Sequence, residues 1–211
     1  MNKLQTGLLA CIALVVGIYF ALTIAPTQNQ QAEYLSAYPA PRALPDFALI
    51  DQRQQPFTSE QLQGHWTLVF VGYTYCPDIC PTTLAELQRI YPELQTLPTK
   101  NTVQVVFVSV DPKRDTPERL LEYINFFEPS FYAVSGEHKE LYPLVRAMGM
   151  MYSMVDDTDE PNYLVDHSAS VVLINPSAQV VGRFKAEFAP SKLGLSNSQK
   201  ILSDMKIISA D

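Results

Sequence analysis

Apolar residues follow two patterns along this chain, which separate an N-terminal segment from a longer domain. Residues 6–25 form a continuous apolar run without a charged side chain. Because a helix rises about 1.5 Å per residue, twenty residues span about 30 Å, the thickness of the hydrocarbon core of a bilayer. The pattern predicts a transmembrane anchor over residues 6–25, after a short cytoplasmic N-terminus, residues 1–5, whose one basic side chain is Lys3.

A cleaved signal peptide is the alternative interpretation of this segment. The apolar run is long for the hydrophobic region of a signal peptide, and Pro26 is a poor residue directly after a cleavage point. Cys11 lies inside the run and is interpreted as a membrane-buried apolar residue. No Arg-rich presequence precedes the run, so we expect a single-pass protein of the bacterial inner membrane with its C-terminal domain in the periplasm.

The next segment, residues 26–44, is rich in Gln, Ala and Pro and predicts a flexible tether. Residues 45–211 follow, about 165 residues, which is enough for one well-buried domain. The formal net charge of the chain is −7, with acidic and basic residues mixed. Such a charge argues against nucleic acid as a partner.

Within residues 45–211, short apolar runs alternate with segments of helical periodicity. The runs predict strands over residues 47–51, 66–71, 103–110 and 132–135, and a hairpin of 171–174 with 179–184. The periodic segments predict helices over residues 81–97, 116–127, 137–148 and 196–208, with a helical turn capped by Ser59. This alternation predicts a mixed α/β sheet covered on both faces, as a thioredoxin-like sandwich with an added β-hairpin.

The cysteine pair follows the second predicted strand, in the run GYTYCPDICP (residues 72–81). Pro81 is harmless at the first position of a helix and costly inside one, so we expect a helix that begins at Pro81 with Cys80 as its N-cap. Both sulfurs then lie near the positive end of a helix dipole, which favours thiolates. Cys76 and Cys80 can therefore close a disulfide or hold a soft metal ion. Disulfide exchangers usually space their cysteines by two residues, whereas three residues separate this pair.

A metal site needs a further ligand, and histidines and methionines are the other soft donors. His65 and His138 are interpreted as exposed or capping residues. His167, in YLVDHS (residues 163–168), precedes a strand; taken alone, such a histidine is more often structural than a ligand. Four methionines crowd together, and core packing is favoured over a thioether copper patch: Met148, Met150, Met151 and Met154.

Two cysteines and one histidine would form a soft set with few ligands. It suits Cu(I) and can accept Cu(II) as well. Zn(II) prefers four ligands, and no fourth strong donor is evident. Asp166 is a candidate labile or outer ligand by its position beside His167.

Three segments resemble the Sco/SenC family of membrane-anchored copper chaperones for cytochrome c oxidase. They are GYTYCPDICPTT (residues 72–83), VSVDPKRDTP (108–117) and YLVDHS (163–168). The resemblance implies a thioredoxin-like fold that carries one copper ion on Cys76, Cys80 and His167. Asp111, Arg114 and Asp115 lie in the second segment, and a structural network around the helix cap Thr116 is favoured over a catalytic role.

The resemblance also implies a function. We expect a copper metallochaperone that delivers copper to the Cu-A centre of cytochrome c oxidase or reduces the cysteines of that centre beforehand. The expected partners are the oxidase subunit that carries Cu-A, other copper chaperones or thiol reductants, and the inner membrane.

A periplasmic thiol-disulfide reductase with incidental metal binding is the alternative, with Cys76 and Cys80 as its redox pair. The position of both cysteines on one loop argues against a peroxidase of the peroxiredoxin type.

Overall fold

The computed structural model describes residues 2, 5, 7, 12–18, 20, 32–154, 163–188 and 193–210. The chain divides into two compact units, Met1–Gln31 and Ala32–Asp211. In the first unit, residues 12–18 are helical. Among the described residues, no helix has the length and apolar character needed to cross a bilayer. The predicted anchor, residues 6–25, lies largely outside the described residues.

The second unit alternates strands and helices. Its described strands are β1 (Leu35–Ala43), β2 (Leu49–Asp51), β3 (Pro56–Phe57), β4 (Trp66–Gly72), β5 (Val103–Ser109), β6 (Tyr132–Ser135), β7 (Tyr152–Met154), β8 (Val165–His167), β9 (Val171–Ile174) and β10 (Gln179–Phe184). Its helices are α1 (Ile79–Gln95), α2 (Pro117–Asn125), α3 (His138–Ala147) and α4 (Ser198–Ile208). A 3-10 turn, Ser59–Leu62, is capped by Thr58 instead of the predicted Ser59.

Eight strands form one sheet in the order β1-β10-β9-β4-β5-β6-β2-β3, and β7 pairs with β8 in a separate hairpin. The central strands β4, β5 and β6 are parallel, as connections through helices require. The remaining pairs in the large sheet are antiparallel. The predicted mixed α/β sheet is confirmed, with β9 and β10 as the added hairpin.

Strand β4 is buried on both faces because it separates two hydrophobic clusters. Leu68 and Phe70 point into the cluster that includes side chains of α1, α2 and α4. Val69 and Val71 point into the opposite cluster, to which α3 contributes. A strand in this position favours apolar residues toward both faces, which is why its sequence lacks alternation. The strand therefore ends deep in the fold, and the loop that follows it leaves from the centre of the sheet.

The prediction of a flexible tether over residues 26–44 is wrong for its second half, where Leu35–Ala43 forms β1 at the edge of the sheet. Its register against β10 shifts between Ala37 and Arg42, around two prolines. Edge strands and bulges tolerate proline, so a proline-rich composition hid this strand. Long-range contacts hold it in place. A Cβ on Gly182 of β10 would lie 2.6 Å from the Ser36 carbonyl oxygen, so β1 needs glycine opposite it.

One buried carboxylate joins the start of β1 to the C-terminal helix. Asp204 on α4 is 1 % exposed, and its side chain accepts the backbone N–H groups of Glu33, Tyr34 and Leu35 at 3.0, 2.8 and 2.6 Å. These donors would otherwise lack partners beside the sheet edge. Asp204 thus acts as the anchor of β1.

We predict that Asp204→Asn lowers the free energy of unfolding by about 3 kcal/mol, since an amide cannot accept all three N–H groups with a full negative charge. Hydrogen exchange of the Tyr34 and Leu35 amides should accelerate in the same variant. The exposed Asp46 offers a matched control, and Asp46→Asn should change neither measurement. Unchanged exchange at both amides in Asp204→Asn would contradict the anchoring role.

Candidate metal centre

The cysteine loop connects the end of β4 to the start of α1. Helix α1 begins at Ile79, with Asp78 at the N-cap, so Cys80 is its second residue and Pro81 its third. The prediction that Pro81 opens the helix with Cys80 as the cap is therefore wrong. The first N–H groups of a helix have no intrahelical partner, so proline is accepted at the third position as well as the first.

The thiol of Cys76 takes part in capping this helix. The backbone N–H of Cys80 donates to Cys76 Sγ at 3.4 Å, and the Asp78 side chain makes no capping hydrogen bond. Helix N-termini favour negative charge. The first turn of α1 therefore stabilises a thiolate at Cys76.

His167 reaches the cysteines from another part of the chain. It ends β8, opposite Tyr152 of β7, and its ring packs edge-on against Phe70 and Tyr73, with both centroid distances 5.9 Å. Its Nδ1 lies 3.3 Å from the carbonyl oxygen of Ser168. This neighbour suits a proton on Nδ1, which leaves the lone pair of Nε2 directed at the cysteines.

The three predicted donors converge. His167 Nε2 lies 3.3 Å from Cys80 Sγ, and the ligand atoms of Cys76, Cys80 and His167 all lie within 4.8 Å of one another. Cys80 is fully buried, whereas Cys76 and His167 are half-buried. The cluster is thus closed on the side of α1 and accessible from the side of Cys76.

Gly72 provides the clearance for this convergence. A Cβ at Gly72 would lie 2.6 Å from Cys80 Sγ and 2.9 Å from the ring of Phe107. Any larger residue would push Cys80 away from His167 or displace the core. The sequence gives no local signal of this role, because the clearance depends on groups that come together only in the folded chain.

The two thiols have opposite pKa shifts. The hydrogen bond from the Cys80 thiol is the largest cause that lowers the pKa of Cys76 to about 4, despite partial burial. Burial, together with the negative charge of Cys76, raises the pKa of Cys80 well above the usual value. The reduced pair therefore carries one thiolate and one shared proton at neutral pH. Binding of a cation between the sulfurs would displace that proton.

The structure leaves the other soft donors outside the cluster. His65 lies beside Thr102 Oγ1 at 2.8 Å, and His138 stacks on Tyr152 with a ring centroid distance of 5.8 Å. The methionine segment divides between core and surface, since Met148 and Met150 are buried and Met151 is 68 % exposed. The expectation of core packing thus holds for the first two.

Asp166 does not join the ligand atoms either. It is exposed on β8, opposite Ser153. Successive side chains of a strand point to opposite faces, so the carboxylate of Asp166 points away from the face that presents His167. Its expected role as a labile ligand is not supported by this geometry.

The acidic and basic residues of the second motif form a buried network, as the structural interpretation predicted. The hydroxyl of Thr116 caps α2 by accepting the Arg119 N–H. Asp111 pairs with Arg114, and Asp115 accepts hydrogen bonds from Thr74. The network adjoins the cysteine loop but contributes no atom to the donor cluster.

Comparisons with known proteins agree with this geometry. The family model described as SCO1/SenC matches residues 36–201. A relative from Stutzerimonas stutzeri, named as a candidate copper-binding protein, is 37% identical over 164 residues, which cover 78% of this chain and 77% of the relative.

Two solved structures match the fold of the chain. Apo Sco1 from Thermus thermophilus aligns with a TM-score of 0.69 at 32% identity, covering 85% of this chain and 98% of that one. Yeast Sco1 with copper bound aligns with a TM-score of 0.65 at 29% identity, covering 79% and 90%. These matches confirm the predicted thioredoxin-like α/β fold.

We predict that Cys76 in the reduced protein reacts with iodoacetamide as a thiolate down to about pH 4, because its pKa lies there. The rate, followed by peptide mass mapping, should halve near pH 4, whereas an ordinary thiol loses its reactivity below about pH 8.5. Cys80→Ala removes the side chain that donates to Cys76 and should move the midpoint upward. A midpoint near 8 in the unmodified chain would contradict the shared-proton arrangement.

Proposed function

Because the chain belongs to the SCO1/SenC family, we propose that it is a copper metallochaperone that binds one copper ion through Cys76, Cys80 and His167. The observation that carries the proposal is the convergence of these three ligand atoms within 4.8 Å of one another. Two sulfurs and one imidazole nitrogen are donors that Cu(I) prefers. In the described part of the chain, no carboxylate or further histidine completes a four-ligand set of the kind zinc favours.

The accessible side of the cluster supports transfer of the bound ion by ligand exchange. A site with three donors leaves room for a cysteine of a partner to bind copper before Cys76 or Cys80 leaves it. Cys76 is the half-buried thiol and Cys80 the fully buried one, so Cys76 is the donor that an incoming sulfur would replace first. The exchange needs both thiols reduced, since oxidation to a Cys76–Cys80 disulfide removes two ligands.

We further propose delivery of copper to the Cu-A centre of cytochrome c oxidase, from a domain held at the bacterial inner membrane. Residues 6–25 would form the anchor, and the copper-binding domain would lie in the periplasm. The chain between the anchor and β1 would allow the domain to reach a membrane-bound oxidase subunit. The length and apolar character of residues 6–25 support the anchor.

Preparation of the Cu-A cysteines by disulfide reduction is the second candidate function. The lowered pKa of Cys76 favours it. The Cys76 thiolate would attack a disulfide of the oxidase subunit, releasing one thiolate and forming a mixed disulfide. Cys80, after losing its proton, would then displace the second subunit cysteine, which leaves a Cys76–Cys80 disulfide and a reduced subunit. A thiol reductant would return both electrons to the pair.

We predict that the full-length protein, reduced and titrated with Cu(I) against a chromophoric competitor, binds one equivalent. His167→Ala should weaken the affinity at least tenfold, since one of three donors is lost. His138→Ala is the matched control and should leave affinity and stoichiometry unchanged. Retention of both properties in His167→Ala would exclude the three-donor site.

A cellular experiment separates delivery from reduction. Cells that lack the gene should lose the Cu-A absorption of their oxidase at low copper. Added copper should restore it if the protein delivers copper, because mass action can replace a chaperone. Restoration by an added dithiol, with copper unchanged, would instead support the reductase. Normal oxidase spectra under all conditions would refute both functions.

A further inference from the structure

One turn of the fold contacts both segments that carry the donors, the cysteine loop and the segment that ends in His167. This turn, residues 109–116, begins at the last residue of β5 and leads into α2; we refer to it as the clamp turn. On one side, the carboxylate of Asp115 accepts the Thr74 backbone N–H at 2.9 Å and the Thr74 hydroxyl at 2.7 Å. Thr74 lies two residues before Cys76, so this contact holds the start of the cysteine loop.

On its other side, the clamp turn holds the segment that carries His167. The hydroxyl of Tyr163 donates to Asp111 Oδ1, and the Arg114 guanidinium lies 3.5 Å from the centre of the Tyr163 ring. Arg114 Nε also donates to Asp111 Oδ2 at 2.5 Å. Tyr163 is four residues before His167, and its side chain is 3 % exposed.

The clamp turn is itself held by internal hydrogen bonds. Ser109 Oγ donates to Asp115 Oδ2 at 2.5 Å and accepts the Asp111 N–H at 3.2 Å. The Asp111 carbonyl accepts the Asp115 N–H at 2.9 Å. Asp111 and Asp115 are 1 % and 2 % exposed. A buried network with its groups paired in this way behaves as one unit.

Strand β8 needs such support more than the cysteine loop does. The loop is continuous with β4 and α1, which lie in the core. The hairpin of β7 and β8 has three residue pairs and forms a sheet apart from the large one. A two-stranded hairpin is marginally stable alone, so side-chain contacts must set where His167 lies.

We propose that Tyr163, Asp111 and Arg114 are positioning residues that hold His167 Nε2 against the two cysteines, so that the clamp turn sets the spacing of the copper ligands. The inference rests on the proposed copper-binding function. The Asp115–Thr74 contact positions the cysteines, and the Asp111–Tyr163 contact positions the histidine. Because both begin on the same rigid turn, the donors keep their spacing while copper enters and leaves.

The first test follows the His167 ring by NMR in the copper-free protein. The chain has three histidines, so full-length protein labelled with ¹⁵N-histidine shows three sets of ring signals, and His167→Ala identifies the relevant set. In Tyr163→Phe we expect the two ring-nitrogen signals of His167 to broaden and to move toward each other, because the ring is no longer held in one orientation. The His65 and His138 signals should stay in place. Unchanged His167 signals would overturn the inference.

The second test measures Cu(I) affinity. Tyr163→Phe should weaken Cu(I) affinity about tenfold, the usual effect of removing a group that orients a metal ligand. Tyr142→Phe removes an exposed hydroxyl on α3 and should leave the affinity at the wild-type value.

Thr74→Val acts on the contact between Asp115 and the cysteine loop, so it should accelerate alkylation of Cys76 and leave the His167 ring signals unchanged. If Tyr163→Phe and Thr74→Val have equal effects on Cys76 alkylation and on the His167 ring signals, both variants destabilise the whole site. That result would refute separate roles for the two contacts.

The failures of the two proposals are distinguishable. Wild-type protein that binds no Cu(I) would refute the copper function, while the NMR result on the apo protein would still decide the positioning role. If Tyr163→Phe does not fold, Arg114→Lys is the second variant. It removes the planar group over the Tyr163 ring and keeps the hydroxyl bond to Asp111. It should shift the His167 signals in the same direction by a smaller amount, and unchanged signals would overturn the inference.

Discussion

The contact between Cys80 Sγ and His167 Nε2, at 3.3 Å, connects the hydrophobic clusters on the two faces of the large sheet. Cys80 belongs to the hydrophobic cluster on the side of α1, whereas Tyr163 and Val165, which precede His167, belong to the cluster on the other face of the sheet. Cys76 packs against both clusters. The three donors therefore meet at the carboxyl end of β4, where a parallel strand leaves the sheet. Proteins with open α/β sheets commonly place their ligand sites at such ends.

This placement makes redox and metal chemistry depend on the same atoms. The reduced pair holds one proton between two sulfurs whose pKa values are shifted in opposite directions. A soft cation can replace the proton with little rearrangement, since the donors are already near one another. A disulfide between the same sulfurs would exclude the cation. In the proposed function, the oxidation state of the pair would control whether copper binds, and the two candidate functions would be two uses of one arrangement.

Much of the fold could be predicted because its signals are local. The run 66–71 is apolar except at Thr67 and became a strand buried on both faces, and the helical periodicity after residue 79 became α1. Strand β1 could not be predicted, since its residues are mostly exposed and its stability comes from β10 and Asp204. The β7–β8 hairpin was missed because each strand has three residues, which is too few to show a periodicity.

The amino-acid sequence by itself determined the donor types, their order and the strand-to-helix context of Cys76 and Cys80. These depend on residue identity and on near neighbours along the chain. The motif similarity also predicted His167 as the third donor. Only the tertiary structure decided that His167 lies within reach of Cys80, that Gly72 leaves space for the Cys80 sulfur, and that Asp166 lies outside the cluster. The Cys80–His167 contact joins residues that are 87 positions apart along the chain. Such a contact arises only when the sheet and its helices pack together.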